Sequence, residues 1–321
     1  MEYRRLGKSD IKISEVSLGC WVTGGTYWGG ADDNESITAI QTMVDLGVNF
    51  IDTAEVYGNG HSEKVVGKAL EGRRDKVYLS SKVWRSNMRY NDVKKACEGS
   101  LKRLKTDCID VYFIHYPSNE GIPIEETMGA MLELQQEGKI RVIGLSNFSK
   151  EEMEEAMKVG RFDVIQPCYS LLWRFIEKDI IPYCIDNEVG IVNYSPLAQG
   201  ILTGKFTPNT RFKEGDGRAR APLFQPGRFE KCLEVAEELK PIAEKYGKTQ
   251  GQVAINWTTS QPGITSAIVG ARNAVQAREN VGAGGWRLEA EDLKNMEQIS
   301  RRVTDDLPEF ETFFTTRLKN K

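Results

Sequence analysis

Histidine is scarce in this chain of 321 residues: only His61 and His115 are present. With no Cys or His cluster at ligand spacing, most metal-site readings fall away. The six cysteines, Cys20, Cys97, Cys108, Cys168, Cys184 and Cys232, form no C-x-x-C pair. No signal-peptide pattern opens the sequence, so they read as reduced thiols and the expected location is cytoplasmic. No stretch reaches the ~18 uncharged apolar residues of a membrane span. Neither sign of charge dominates, the net charge being −3, and nothing draws the chain to nucleic acid or an anionic membrane. Despite 30 glycines the spacing G-x-G-x-x-G does not occur. Gly247-Lys-Thr has the ending of a phosphate loop, but Ile242 stands where its first glycine belongs. Gly247 reads instead as the glycine that closes the preceding helix.

What the chain does have is a globular balance, 40% hydrophobic and 28% charged. Short apolar runs alternate with amphipathic stretches. The runs are EVSLG from Glu15, NFID from Asn49, VYLSS from Val77, IDVYFI from Ile109, IRVIGLS from Ile140, VIQ from Val164, GIVNYS from Gly190 and SAIVG from Ser266. Continuous rather than alternating hydrophobicity predicts parallel strands buried on both faces. Helical spacing is clearest over Asn34–Leu46, Ser62–Leu70, Asn91–Leu104, Ile124–Glu137 and Lys150–Lys158. Asn91 is the expected N-cap of its helix, and Ser149-Lys-Glu-Glu a capping box. Met128 and Met131 read as core filler.

Such alternation allows an open doubly wound sheet or a closed barrel. The missing glycine fingerprint favours the barrel. The expected fold class is therefore α/β, a (β/α)8 TIM barrel spanning residues 1–321 as a single domain. An N-terminal hairpin over Tyr3–Ser14 would plug its bottom, a long loop of about Gly200 to Gly227 would follow strand seven, and an extra C-terminal helix would span about Glu289–Arg301.

In a barrel the strand C-termini share one rim, and chemistry sits there. Asp52 ends the second run, Lys82 the third and His115 the fourth, with Tyr57 five residues past Asp52. A phenol near an ammonium can give a proton to a carbonyl oxygen while hydride reaches the carbon. The ammonium would lower the phenol's pKa, Asp52 would hold the lysine, and His115 would contact the carbonyl or Tyr57. Taken singly, each of these residues has a bland reading as cap, solvated charge or core histidine. Their arrival on successive strands argues for reduction of aldehydes and ketones. A Schiff-base aldolase using Lys82 as nucleophile is the competing enzyme reading.

NFIDTAEVYGNGHSEKVVGKAL, IDVYFIHYP and IRVIGLSNF resemble signatures of the aldo-keto reductases, and the likeness runs from Tyr3 to about Asn280. It is nearest the branch with bacterial stress-type reductases and potassium-channel β subunits. The resemblance implies a catalytic tetrad of Asp52, Tyr57, Lys82 and His115, and extended binding of NADPH without a Rossmann motif. It implies nicotinamide contacts from Cys20, Trp21, Asp52, Ser146, Asn147, Gln166 and Tyr194. The pyrophosphate would be wrapped by Ser195, Pro196, Leu197, Gln199, Gly200 and Lys205, with Arg218 closing over it. Gly270, Arg272, Gln276, Glu279 and Asn280 would hold the 2′-phosphate and adenine. Gly270 and Ala271 stand where some members carry Lys-Ser, so NADH is also admitted, and the expected preference for NADPH rests on Arg272, Gln276 and Lys205. The expected partner is a small carbonyl substrate, walled by Trp21, Tyr27, Trp28, Trp84 and Trp173. A cofactor-binding regulatory subunit is the alternative, although a protein partner is not expected.

Overall fold

A computed structural model describes residues 1–24 and 31–309. Its first strands, β1 (Tyr3–Arg5) and β2 (Lys12–Ser14), pair antiparallel as the hairpin. Then come β3 (Val16–Gly19), β4 (Phe50–Asp52), β5 (Tyr78–Val83), β6 (Ile109–Ile114), β7 (Ile140–Ser146), β8 (Val164–Gln166), β9 (Gly190–Tyr194) and β10 (Ile264–Gly270). These eight pair in parallel and close, β10 bonding both β9 and β3.

Helices cover the outside: α1 (Asp33–Asp45), α2 (His61–Ala69), α3 (Tyr90–Leu104), α4 (Ile124–Gln136), α5 (Lys150–Val159), α6 (Ile180–Asp186), α7 (Arg228–Lys245), α8 (Gln250–Thr259), α9 (Ala274–Val281) and α10 (Ala290–Thr304). Among the described residues no helix is long and apolar enough to cross a membrane. Ser149 and Glu152 close the expected capping box at the start of α5. Asn91 is not a cap. Helix α3 begins a residue earlier, at Tyr90, whose N–H is taken by Glu126 from α4. A distant carboxylate replaces the local side chain. Gly247 adopts φ +61 just past α7, and the N–H groups of Gly247 and Lys248 return to Glu244 and Ala243. It ends a helix, as its sequence context suggests.

Two apolar cores result. The larger lies between barrel and helices and includes Met128 and Met131. The smaller fills the barrel itself: Leu6, Ile11 and Ile13 of the hairpin region meet Phe50, Val111, Phe113, Val142, Val164, Val192 and Ile268. The hairpin therefore plugs the lower end. Gly144 belongs to this packing, because a Cβ there would sit 2.4 Å from the Phe113 ring. With the bottom sealed, the C-terminal rim is left for a ligand.

Candidate active site

Register places the reactive groups. Asp52 pairs with Ser80 across β4 and β5, and Lys82 follows Ser80 by two residues, on the same side of its strand. Lys82 Nζ donates to Asp52 Oδ2 at 2.6 Å and to the Thr53 carbonyl at 2.7 Å. It lies 3.3 Å from the Tyr57 hydroxyl. Asp52 Oδ1 accepts from Ser80 Oγ at 2.8 Å and from Gln166 Nε2 at 3.0 Å, which ties β4 to β8 across the rim. The His115 ring meets Tyr57 edge-on at 5.7 Å, and Trp21 stands 5.1 Å from Tyr57 on another side. The geometry thus brings Asp52, Tyr57, Lys82 and His115 together.

The electrostatics differ in one respect from the sequence argument. Burial, and then the Asp52 carboxylate, push the Tyr57 phenol well above its ordinary pKa. Lys82 does not reverse this, because its charge is offset by Asp52 at hydrogen-bond distance. Burial also lowers the ammonium, against the pull of Asp52. Burial, with Lys82 and Arg85 after it, holds His115 well below 6.5, so the imidazole is neutral at pH 7. Its Nδ1 is buried with no hydrogen-bond partner among the described residues. A protonated phenol and a neutral imidazole therefore face one point, as a proton donor to a carbonyl requires.

A cleft of about 420 Å³ runs from this point along the rim. Trp21, Asp52, Tyr57 and His115 line one end, and Ser146, Asn147, Gln166 and Tyr194 its middle. These middle groups are mutually braced. Tyr194 Oη donates to Asn147 Oδ1, Asn147 Nδ2 to the His115 carbonyl, and Ser146 Oγ to the Gln166 carbonyl. Ser195, Pro196, Leu197, Gln199 and Gly200 continue the wall. Ser195, Ala198 and Gln199 hold positive φ despite their side chains. Strain of this kind concentrates where a loop is shaped for a ligand. Gln199 Oε1 is buried without a partner among the described residues. The far end holds Lys205, Arg218, Gly270, Arg272, Gln276, Glu279 and Asn280. Burial, then Arg218, lowers both Lys205 and Arg272. These cations crowd one another, and an anion between them would relieve it.

Four expected contacts do not line the cleft. Cys20 is fully buried behind Asp52, its N–H bonded to the Asp52 carbonyl. Lys82 is fully buried and meets the Tyr57 hydroxyl from outside the lining. Trp173 is a core residue, buried against Phe175, because a tight turn after β8 bridges its backbone to Ser170. Trp84 sits outside, edge-on to His115 at 5.0 Å. Tyr27 and Trp28 lie outside the described residues. Val22, Tyr116, Thr203 and Ile268 also line the cleft. Sequence reading missed them; Tyr116, next to His115 at a strand end, was the most readable. Glu55 was missed as well. Its Oε1 accepts from the Trp84 N–H at 2.6 Å and from Asn87 Nδ2 at 2.9 Å, pinning the turn after β5. No group of three His, Cys, Asp or Glu suited to a metal occurs among the described residues.

The loop after β9 is more ordered than its glycines and prolines suggest. Phe206, Phe212, Phe224 and Phe229 pack together. The Arg218 guanidinium lies over Phe206 and Phe212 at 5.7 and 4.9 Å, clasped by Asp216.

Comparison with known proteins agrees with this picture. The family model described as "Aldo/keto reductase family" matches residues 15–301. The chain is 40% identical to aldo-keto reductase YhdN of Bacillus subtilis, covering 97% of both chains. It is 34% identical to the NADH-specific methylglyoxal reductase of Escherichia coli (93% of this chain, 98% of the other). It is also 34% identical to a probable voltage-gated potassium channel subunit beta of Arabidopsis thaliana (88% and 91%). Among solved structures, glycerol dehydrogenase AKR11B4 of Gluconobacter oxydans superposes with TM-score 0.87 at 36% identity, over 95% of this chain and 96% of that one. A Klebsiella pneumoniae aldo-keto reductase in complex with NADPH superposes with TM-score 0.77 at 31% identity over both whole chains.

Proposed function

The chain belongs to the aldo/keto reductase family, and on that premise we propose that it reversibly reduces aldehydes and ketones to alcohols, with Tyr57 as general acid. A reduced nicotinamide bound in the cleft would supply the hydride. Tyr57 gives its phenolic proton to the carbonyl oxygen as negative charge builds there. Lys82, 3.3 Å away, stabilises the phenolate that remains, and Asp52 holds Lys82 charged and in place. Neutral His115 fixes the direction of the carbonyl. The observation that carries this reading is the contact of Lys82 with Tyr57 in a cleft of small-molecule size.

NADPH is the cofactor assigned, with NADH also accepted. Support comes from the crowded cations Lys205, Arg218 and Arg272, from the unpaired Gln199 oxygen, and from the strained wall at Ser195–Gly200. A relative named for NADH and a structural neighbour holding NADPH bracket the choice. The six free cysteines fit a reducing compartment such as the cytoplasm. A Schiff base on Lys82 is disfavoured, since that nitrogen is fully buried and donates to two strong acceptors.

The test is turnover of 4-nitrobenzaldehyde with NADPH. Tyr57→Phe should lower kcat by about 10²-fold or more while quenching of protein fluorescence by NADPH is retained. Full activity in that variant would overturn the assignment. Binding of NADPH by the native chain with no turnover across an aldehyde panel would point instead to a regulatory subunit.

A further inference from the structure

Just past Lys82, the turn after β5 carries a cation whose part in the scheme above is only the last and smallest of the three influences that keep His115 neutral. Arg85 is half-buried, its Nε is wholly buried, and that atom has no hydrogen-bond partner among the described residues. No carboxylate of those residues lies within 4.0 Å of its guanidinium, unlike Arg74, Arg103, Arg141 and Arg174, each held by an acid. The acid on the adjoining loop, Glu55, is engaged with the Trp84 N–H and Asn87. Leaving a partly desolvated guanidinium donor unpaired is costly, and a bound anion would remove that cost.

Arg85 does not itself line the cleft, but it packs on Tyr116, which does. The guanidinium carbon lies 4.4 Å from the centre of the Tyr116 ring and 5.5 Å from that of Trp84. Tyr116 lines the cleft and stacks on His115 with ring centres 5.2 Å apart. The guanidinium carbon can thus be no farther from the His115 ring centre than the 5.2 Å and 4.4 Å steps placed end to end. Glu55 fixes the turn, and the Tyr116 and Trp84 rings pack against the guanidinium itself.

We propose that Arg85 forms a subsite for a carboxylate carried by the substrate, so that the preferred aldehydes are short-chain ones with an anionic tail. The proposal rests on the reductase reading for the place of the carbonyl, between Tyr57 and His115. A carboxylate paired with Arg85 then sits a few carbon–carbon bonds away, the reach of a four- or five-carbon semialdehyde. Arg85 binds and positions; it takes no part in proton transfer.

The experiment compares succinic semialdehyde with butanal, a neutral aldehyde of similar length, in the native enzyme, Arg85→Met and Arg85→Lys. The native enzyme should prefer the semialdehyde in kcat/KM. Arg85→Met should lose roughly ten- to a hundredfold on the semialdehyde, mostly in KM, and stay within about threefold on butanal. Arg85→Lys should recover part of the loss. Equal loss on both aldehydes would assign Arg85 to packing against Tyr116 and overturn the subsite, as would a native enzyme indifferent to the carboxylate. If neither aldehyde turns over, the reductase reading fails separately. Titration of the cofactor-loaded protein with 4-hydroxybutyrate, followed by tryptophan fluorescence, then still decides. Saturation in the native chain and its loss in Arg85→Met supports the subsite; no saturation overturns it.

Discussion

At the scale of single residues, the site depends on groups that hold Tyr57 as much as on Tyr57 itself. Gly58 follows it at φ +60, and a Cβ there would lie 2.1 Å from the Gly24 carbonyl oxygen. Both the left-handed backbone and the close approach need glycine at this position. Gly58→Ala must move the Tyr57 loop, and misplacing a reacting group by about 1 Å can cost about 10²-fold in rate. The expected outcome is a kcat lowered by roughly that factor with an unchanged NADPH dissociation constant. Stopped-flow turnover alongside fluorescence titration measures both; an unaltered kcat would show that the loop absorbs the methyl group. That Asp52, Tyr57, Lys82 and His115 would lie together was legible in the sequence because each sits at or just beyond a strand end. The sign of the Tyr57 shift was not, because it depends on how completely the phenol is buried and on Asp52 cancelling the lysine charge. Glu55 and Arg85 were invisible for a similar reason. Their roles come from what the turn after β5 touches, not from their place in a motif.

At the scale of elements, the loop after β9 and the start of α9 build the cationic end of the cleft together. The Arg272 N–H is taken by Gln276 Oε1 and the Asn280 side chain bonds the Gly270 carbonyl, so strand end and helix are locked as one piece. Arg272 therefore presents its charge from a fixed base, whereas Arg218 reaches in from the loop under the hold of Asp216. If Arg272 meets a 2′-phosphate, its loss should affect only the cofactor that carries one. Arg272→Ala is expected to raise the Michaelis constant for NADPH by roughly tenfold or more, the scale of a charge-assisted contact, and to leave NADH nearly unchanged. Steady-state kinetics with both cofactors checks this, and equal loss with both would move the phosphate elsewhere. Turn composition alone read the loop after β9 as a loop but gave no hint of its phenylalanine cluster, since Phe206, Phe212, Phe224 and Phe229 are too irregularly spaced to form a periodic signal. The capping box at Ser149 was legible because both partners lie within four residues. The start of α3 was not, because its cap comes from Glu126 on the next helix.

At the scale of the whole molecule, the barrel divides its labour between two ends. The hairpin of β1 and β2 seals one with Leu6, Ile11 and Ile13, all fully buried, while the rim at the other carries the cleft and the proposed site. Apolar runs alternating with amphipathic stretches made the barrel readable, and the turn residues Gly7-Lys8-Ser9-Asp10 ahead of the first run made the hairpin readable; which of its side chains enter the barrel required coordinates. The separation gives a prediction that neither end gives alone. Ile13→Ala leaves a cavity in a closed core, and substitutions of this type cost about 2–5 kcal/mol of stability. The reacting groups lie at the opposite end, so kcat/KM per folded molecule should not change at a temperature where the variant remains folded. Added NADPH, binding only the folded chain, should restore about 2.7 kcal/mol at a hundred times its dissociation constant. Urea denaturation with and without NADPH measures both effects. A fall in kcat/KM without loss of stability would mean that the plug shapes the rim through the strands. A loss of stability that NADPH does not offset would mean that the cofactor cleft is not formed in the variant.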